Sequence, residues 1–179
     1  MTFESKNMLL VIRGPSGSGK STVAQKLFKN AAKPTAIIQQ DHYRFIFNPP
    51  GGGSKPNSTA IHKMIEQNTL IALANNFNVI LEGILTMKSY GESLRRISTA
   101  HKGPCRFFYF DISLAETIKR NEQRLNLATF TAEDMTNWYP SAGPTGFEGE
   151  LTVNEHWDET AVYRFIQRSS GLPTTEEAI

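Results

Sequence analysis

Eight residues carry the strongest chemical signal in this chain: Gly14-Pro15-Ser16-Gly17-Ser18-Gly19-Lys20-Ser21, followed by Thr22. They satisfy the spacing G-x-x-x-x-G-K-[S/T] at every fixed position. At average glycine usage such a match recurs by chance in only about one chain in a hundred of this length. The chemistry is phosphate binding. Glycines allow successive backbone N–H groups to turn inward around phosphate oxygens, and the positive end of the following helix adds to their pull. Lys20 is then expected to reach the β and γ phosphates of a nucleoside triphosphate, with the Ser21 hydroxyl on Mg²⁺.

Three further groups could act on a phosphate held there. Asp41 follows an apolar run and stands where ligands gather in open α/β sheets, just outside a strand's carboxyl end. As a general base it would accept the proton of an attacking hydroxyl, an effect of about 10²- to 10⁴-fold. A surface pair with Arg44, or a helix cap, is the competing reading. Arg44 is also a candidate for contact with substrate. Glu82 and Asp111 each end an apolar run, and one of them should serve Mg²⁺. Glu82 is favoured, because Asp111 is followed at once by a cation-bearing helix and suits turn or cap hydrogen bonding before Ser113. Arg120 and Arg124, four residues apart, share a helix face from which two guanidinium groups could clamp phosphate oxygens. An exposed face paired with Glu116 and Glu122 is the alternative.

The elements that must position these groups alternate in type. Apolar runs at Met8 to Ile12, Thr35 to Ile38, Asn78 to Leu81, Cys105 to Phe110 and, more weakly, Glu150 to Val153 read as strands. Between them lie helical patterns, so the class is α/β with a parallel sheet covered by helices. Ser21 to Ala31 places Val23, Ala24, Leu27, Phe28 and Ala31 at helical spacing. Ser113 with Glu116 forms a capping box for a helix running toward Leu127, and Thr131 with Asp134 starts a short helix to about Tyr139. Phe130 and Met135 could staple that second start, and Met135, Trp138 and Tyr139 read as core positions rather than a base-stacking box. A last helix is expected from near Asn154, with Trp157, Ala161, Phe165 and Ile166 inward, stopping at Gly171 before Pro173. The tail 172–179 should fray. Asn48 to Asn57 and Pro140 to Gly149 read as long surface loops. His62, His101 and His156 read as surface or core histidines.

Composition sets the outer limits. The chain has 179 residues, 39% hydrophobic and 20% charged, which suits one globular domain with a well-buried core. A single cysteine, Cys105, excludes an internal disulfide framework and a cysteine metal site. The polar amino end and the short apolar run after it suit neither a secretory signal nor a membrane span, so a cytoplasmic location is expected. Net charge is only +2, without the Lys/Arg block of a nucleic-acid arm, and oligomeric state is not encoded in any visible pattern.

Taken together, GPSGSGKST, Asp41 after the second strand, ILEG at Glu82 and FDISLAETIKRNEQR before a lid make the chain resemble the small P-loop kinases. The likeness is specifically to the group of zeta-toxin and chloramphenicol-phosphotransferase-like enzymes. That resemblance covers most of the chain and implies a three-layer P-loop kinase fold. It implies a five-stranded parallel sheet of order 2-3-1-4-5 and a helical lid at about 119–139. It further implies ATP with Mg²⁺, catalysis by Lys20 and Asp41, lid arginines at Arg120 and Arg124, and a hydroxyl-bearing substrate. Glu82 departs from the aspartate common at its position. The expectation is therefore an ATP-dependent phosphotransferase acting on a small-molecule hydroxyl. A nucleic-acid 5′-hydroxyl kinase would use the same parts but should show a basic channel, which the dispersed charge disfavours. An ATP-binding regulatory module or slow ATPase is the third reading.

Overall fold

The structure, a computed structural model, describes residues 7–47, 58–123, 130–139, 143 and 146–175. Five strands, β1 (Leu9–Arg13), β2 (Thr35–Gln39), β3 (Asn78–Gly83), β4 (Cys105–Asp111) and β5 (Leu151–Asn154), form one parallel sheet in the order β2-β3-β1-β4-β5. β1 and β3 are buried along their whole length, as strands covered on both faces must be. That is why they read as continuous apolar runs rather than alternating ones. The register sets Ile12 beside Glu82 and Phe108, and Gln39 beside Glu82, which aligns the carboxyl ends of β1, β2 and β3.

Among the described residues seven helices accompany the sheet: α1 (Lys20–Lys29), α2 (Gln40–Phe47), α3 (Ser58–Ala74), α4 (Met87–Ala100), α5 (Leu114–Glu122), α6 (Ala132–Trp138) and α7 (Glu159–Ser170). Because strand side chains alternate, the inner strands β1, β3 and β4 feed two cores. Leu10, Ile12, Ile80, Phe108 and Phe110 pack with Val23, Ala24 and Leu27 of α1 and Val162, Tyr163 and Ile166 of α7. Leu9, Val11, Val79, Leu81 and Phe107 pack with Ile61 and Ile65 of α3 and Tyr90, Leu94 and Ile97 of α4. Each such side chain contributes about 1.5–3 kcal/mol of hydrophobic stabilisation. After β1 the chain crosses to the β2 edge, returns through β3, and then builds β4 and β5 on the other side. The switch point is the carboxyl end of β1, where the phosphate-binding loop begins.

The expected starts hold at α5, where Ser113 Oγ accepts the Glu116 N–H, and at α6, where Thr131 and Asp134 form a reciprocal capping box. The structure departs from expectation elsewhere. α7 begins at Glu159, not near Asn154, because Asn154 is still paired with Asp111 in β5 and it is the Asp158 side chain that caps the helix at the Ala161 N–H. Its inward face is therefore Val162, Tyr163, Ile166, Gln167 and Ser170, with Ala161 and Trp157 exposed and Phe165 half-buried. α1 stops at Lys29, leaving Phe28 39% exposed. Phe130 packs edge-on against Trp138 at 4.9 Å.

The first part of the expected frayed tail is fastened. Leu172 is 1% exposed, Thr174 bridges Ala31, and the Ala32 and Thr175 N–H groups donate to the Pro173 and Asn30 carbonyls. Asn48 to Asn57 lie outside the described residues, as do 140–142, 144–145 and 176–179.

Candidate active site

The phosphate-binding loop joins β1 to α1 and depends on glycine where the backbone is most constrained. Gly14 has φ +146°, and a Cβ there would lie 2.7 Å from the Phe110 carbonyl oxygen. Gly17 has φ +75°, and a Cβ there would meet Met135 Cε at 2.8 Å and the Thr117 carbonyl at 2.9 Å. The loop is thus pressed from behind by β4, α5 and α6, which fixes the curve of its amides. Lys20, buried at the first position of α1, donates to the Pro15 carbonyl (2.7 Å) and Ser18 Oγ (3.3 Å).

Below Lys20, the end of β3 delivers Glu82, only 5% exposed. Ser21 Oγ donates to Glu82 Oε1 (3.1 Å) and Gln39 Nε2 to Glu82 Oε2 (3.3 Å), and Gln25 Nε2 in turn donates to Gln39 Oε1 (3.1 Å). Burial raises the pKa of Glu82, opposed by the Lys20 charge and by the hydrogen bonds from Gln39 and Ser21. Asp41 enters from the first turn of α2, with its carboxylate 3.2 Å from Arg44 Nη1 on the exposed side of the site. The competing pair of the sequence reading therefore exists, and it exists inside the cavity. Ser16, Gly17, Gly19, Lys20, Ser21, Asp41, Arg44, Glu82 and Trp138 all line one cavity of about 60 Å³.

The oxygen donors Ser21 and Glu82, in contact with each other beside the loop, suit Mg²⁺. That ion takes few protein ligands and completes its shell with phosphate oxygens and water. Among the described residues there is no cluster of three or more His, Cys, Asp or Glu that could hold a metal ion. Asp111 does not line this cavity.

Arg120 lies on the opposite side of the loop. Its guanidinium donates to the Ser18 carbonyl (3.2 Å), the Glu155 carbonyl (2.9 Å) and Glu116 Oε1 (2.8 Å), and it lines a separate cavity of about 440 Å³ with Gly19, Thr22, Gln123, Trp157 and Asp158. In this arrangement it would reach a transferring phosphoryl group only by releasing those carbonyls. Arg124 lies outside the described residues.

Sequence reasoning missed several neighbours. Gln39 orients Glu82, and nothing in its local pattern says so, because the contact is set by strand register. Trp138, read as a core position, lines the Lys20 cavity, whereas Met135 is buried. His62 packs on Tyr90 (ring centroids 4.1 Å apart) at a third cavity. Arg13, the last residue of β1, is fully buried. Its Nε donates to the Leu85 carbonyl (3.1 Å), its Nη1 lies 3.5 Å from Glu150 Oε1, and its guanidinium sits over the Tyr109 ring at 5.3 Å.

A family model described as an AAA domain matches residues 9–138. Among solved structures, a gluconokinase from Sinorhizobium meliloti 1021 superposes with TM-score 0.69 at 16% identity, over 93% of this chain and 95% of that one. Chaetomium thermophilum Kti12 in complex with ADP-AlF3 gives TM-score 0.68 at 15% identity, over 92% and 98%. A chain of the Pnkp1/Rnl/Hen1 RNA repair complex gives TM-score 0.59 at 23% identity, over 78% of this chain and 45% of that one. No curated protein matches the sequence. These likenesses show a shared fold.

Proposed function

Because the chain belongs to the AAA domain family, we propose that it is an ATP-dependent phosphotransferase that moves the γ-phosphate of ATP to a hydroxyl of a small-molecule acceptor. The observation that carries this reading is the convergence of Lys20, Ser21, Asp41 and Glu82 on one cavity at the switch point of the sheet. Loop amides and Lys20 would hold the phosphates, while Ser21 and Glu82 would hold Mg²⁺. When bound, that ion supplies charge neutralisation at the β and γ oxygens. Asp41 would take the proton of the attacking hydroxyl, with Arg44 beside it for the acceptor. The cavity around Arg120 and Trp157 would take the nucleoside end, with Arg120 fastening the loop at rest and releasing the Ser18 and Glu155 carbonyls to close on the phosphates during transfer.

The kinase group named by the sequence resemblance, and a cytoplasmic setting, remain part of this proposal; among the described residues no helix is long and apolar enough to cross a membrane. The gluconokinase acts as support for a small hydroxylated acceptor. The likeness to a chain of an RNA repair complex favours a second reading, a nucleic-acid hydroxyl as acceptor. Incubation with radiolabelled ATP, Mg²⁺ and a metabolite extract, against the same extract replaced by RNA, tests both. A labelled small-molecule phosphomonoester, absent with Lys20→Ala, is expected. Labelled RNA alone would transfer the assignment to the second reading, and no labelled product in either would remove the phosphotransferase assignment.

A further inference from the structure

We infer that Arg13 is a positioning residue for Asp41: it holds Leu85, which in turn holds Gln40, the residue that precedes the carboxylate. This rests on the phosphotransferase reading above, in which Asp41 takes the acceptor proton.

Asp41 needs a hold from outside its own helix. α2 buries none of its eight residues, and Phe45, Ile46 and Phe47 at its end are exposed. A helix without a buried face draws little of its placement from packing. Side-chain hydrogen bonds act in its place. In the middle of α2, Tyr43, half-buried against the second core, accepts from Asn68 Nδ2 through its hydroxyl (3.0 Å). At the first turn Gln40 Oε1 accepts the Leu85 N–H (3.1 Å), and Gln40 Nε2 donates to the Tyr90 hydroxyl (3.1 Å). A Cβ at Gly83 would come within 2.5 Å of Gln40 Cβ and Oε1, so the Gln40 side chain rests directly on the backbone at the end of β3.

Leu85 joins this helix to the central strand. It is fully buried with φ +44°, a left-handed backbone that a leucine keeps only where its surroundings impose it. Its N–H serves Gln40 and its carbonyl accepts from Arg13 Nε (3.1 Å), so one residue bridges α2 and β1. The guanidinium is otherwise poorly provided for. It is fully buried, its Nη2 finds no partner among the described residues, and burial lowers its pKa against the pull of Glu150, 3.5 Å from Nη1. A buried charge so sparsely paired costs stability, and an apolar side chain of similar volume would serve the packing better. What an apolar side chain cannot supply is the bond to Leu85. Arg13 also precedes Gly14, so the loop that holds the phosphates and the carboxylate that receives the proton are tied to one residue. In transfer the acceptor oxygen bonds to the γ-phosphorus as the bond from that phosphorus to the β–γ bridging oxygen breaks. The hydroxyl proton passes to Asp41, and ADP leaves with the bonding pair. A carboxylate displaced by about 1 Å at that moment costs about 10²-fold in rate.

The test places the full chain in excess over radiolabelled MgATP in a metabolite extract and follows transfer of the label in a single turnover. Arg13→Met removes every donor at the strand end. Gln40→Met, at a half-buried position, breaks the relay at its other end without emptying the core. Each should slow transfer by about 10- to 10²-fold while the dissociation constant for MgADP keeps its wild-type value. The double variant should lose no more than the slower single, because both cut the same relay. Without nucleotide, amide hydrogen exchange should quicken at Leu85 in both variants and stay slow at Leu10, buried inside β1. If Arg13→Met loses protection at Leu10 as well, its fold has failed and Gln40→Met decides alone. An unchanged rate in Gln40→Met, or losses that multiply in the double variant, overturns the assignment. So does MgADP affinity that falls with the rate in Arg13→Met, which would make Arg13 a support of the phosphate loop. Asp41→Asn is measured beside them. If it is slow and the relay variants are not, only the positioning role falls; if it matches wild type, the base assignment falls first. Absence of transfer by wild type removes the phosphotransferase reading and this assignment with it.

Discussion

Replacing Glu82 by glutamine should separate folding from function, because the two make opposite demands on that side chain. The carboxylate is 5% exposed, and burial pushes its pKa above the ordinary range, so its charge is a cost to the folded state. Exchanging a buried charge for a neutral group of the same shape ranges from neutral to a gain of about 1–4 kcal/mol. Against that, one carboxylate oxygen becomes an NH₂ facing Ser21 or Gln39, and an unsatisfied buried group costs about 1–3 kcal/mol. The two nearly cancel. Glu82→Gln should therefore unfold within about 4 °C of wild type, given about 2–4 °C per kcal/mol for a chain of this length. Mg-ADP at a hundredfold excess over its dissociation constant should stabilise wild type by about 2.7 kcal/mol, or about 5–11 °C. Differential scanning fluorimetry with Mg-ADP, and with ADP plus chelator, then reads the metal-dependent part directly. In the variant the two shifts should converge, and phosphoryl transfer should fall by at least about 10²-fold. A variant that melts more than about 8 °C below wild type yet keeps the full Mg-dependent shift would show Glu82 to be a structural residue and refute the reasoning.

Four other outcomes follow from the same geometry. Asp41→Asn should retain nucleotide binding by calorimetry while transfer falls by about 10²- to 10⁴-fold, and a wild-type rate would leave Asp41 as a partner of Arg44 alone. Arg120→Ala should weaken ATP binding as well as transfer, because it unfastens the Ser18 and Glu155 carbonyls; single-turnover kinetics showing an unchanged dissociation constant would assign it to the transition state only. Arg96, hydrogen-bonded through Nε and Nη2 to both oxygens of Glu66, holds the Glu66 pKa below its ordinary value. The stability this pair supplies between α3 and α4 is present above the ordinary carboxylate pKa and is lost as pH falls through the lowered one, so acid melting curves of wild type and Glu66→Gln should converge there. Leu172→Ala should cost about 2–5 kcal/mol in urea titrations, whereas a frayed tail would cost nothing.

What the sequence made legible was local. Strands covered on both faces are mostly apolar, and the runs Leu9–Ile12 of β1, Val79–Leu81 of β3 and Phe107–Phe110 of β4 said so. The glycine spacing before Lys20, the Ser113 cap of α5 and the capping box of α6 encode their geometry within a few residues. The position of Glu82 and Asp41 followed from being at strand ends. What stayed hidden depends on register and crossover. Asn154 could be read as the start of a helix because nothing near it reveals that Asp111 pairs with it across the sheet. Trp138 and Met135, three residues apart on one helix, share a pattern but not a fate, since only the loop packed beneath decides which is buried. Arg13 looks like an ordinary charge at a strand end, and its role as an anchor depends on Leu85, 72 residues away.

The chain has two tryptophans, and the fold sends them to different ends of the site: Trp138 stands between the Lys20 cavity and the Tyr90 cavity, Trp157 beside Arg120. The molecule thereby carries two native optical reporters. Trp138→Phe leaves an emission that follows arrival at the Arg120 end, and Trp157→Phe leaves one that follows events near Tyr90. Stopped-flow traces of the two variants would give the order in which the two ligands enter, without any label being attached.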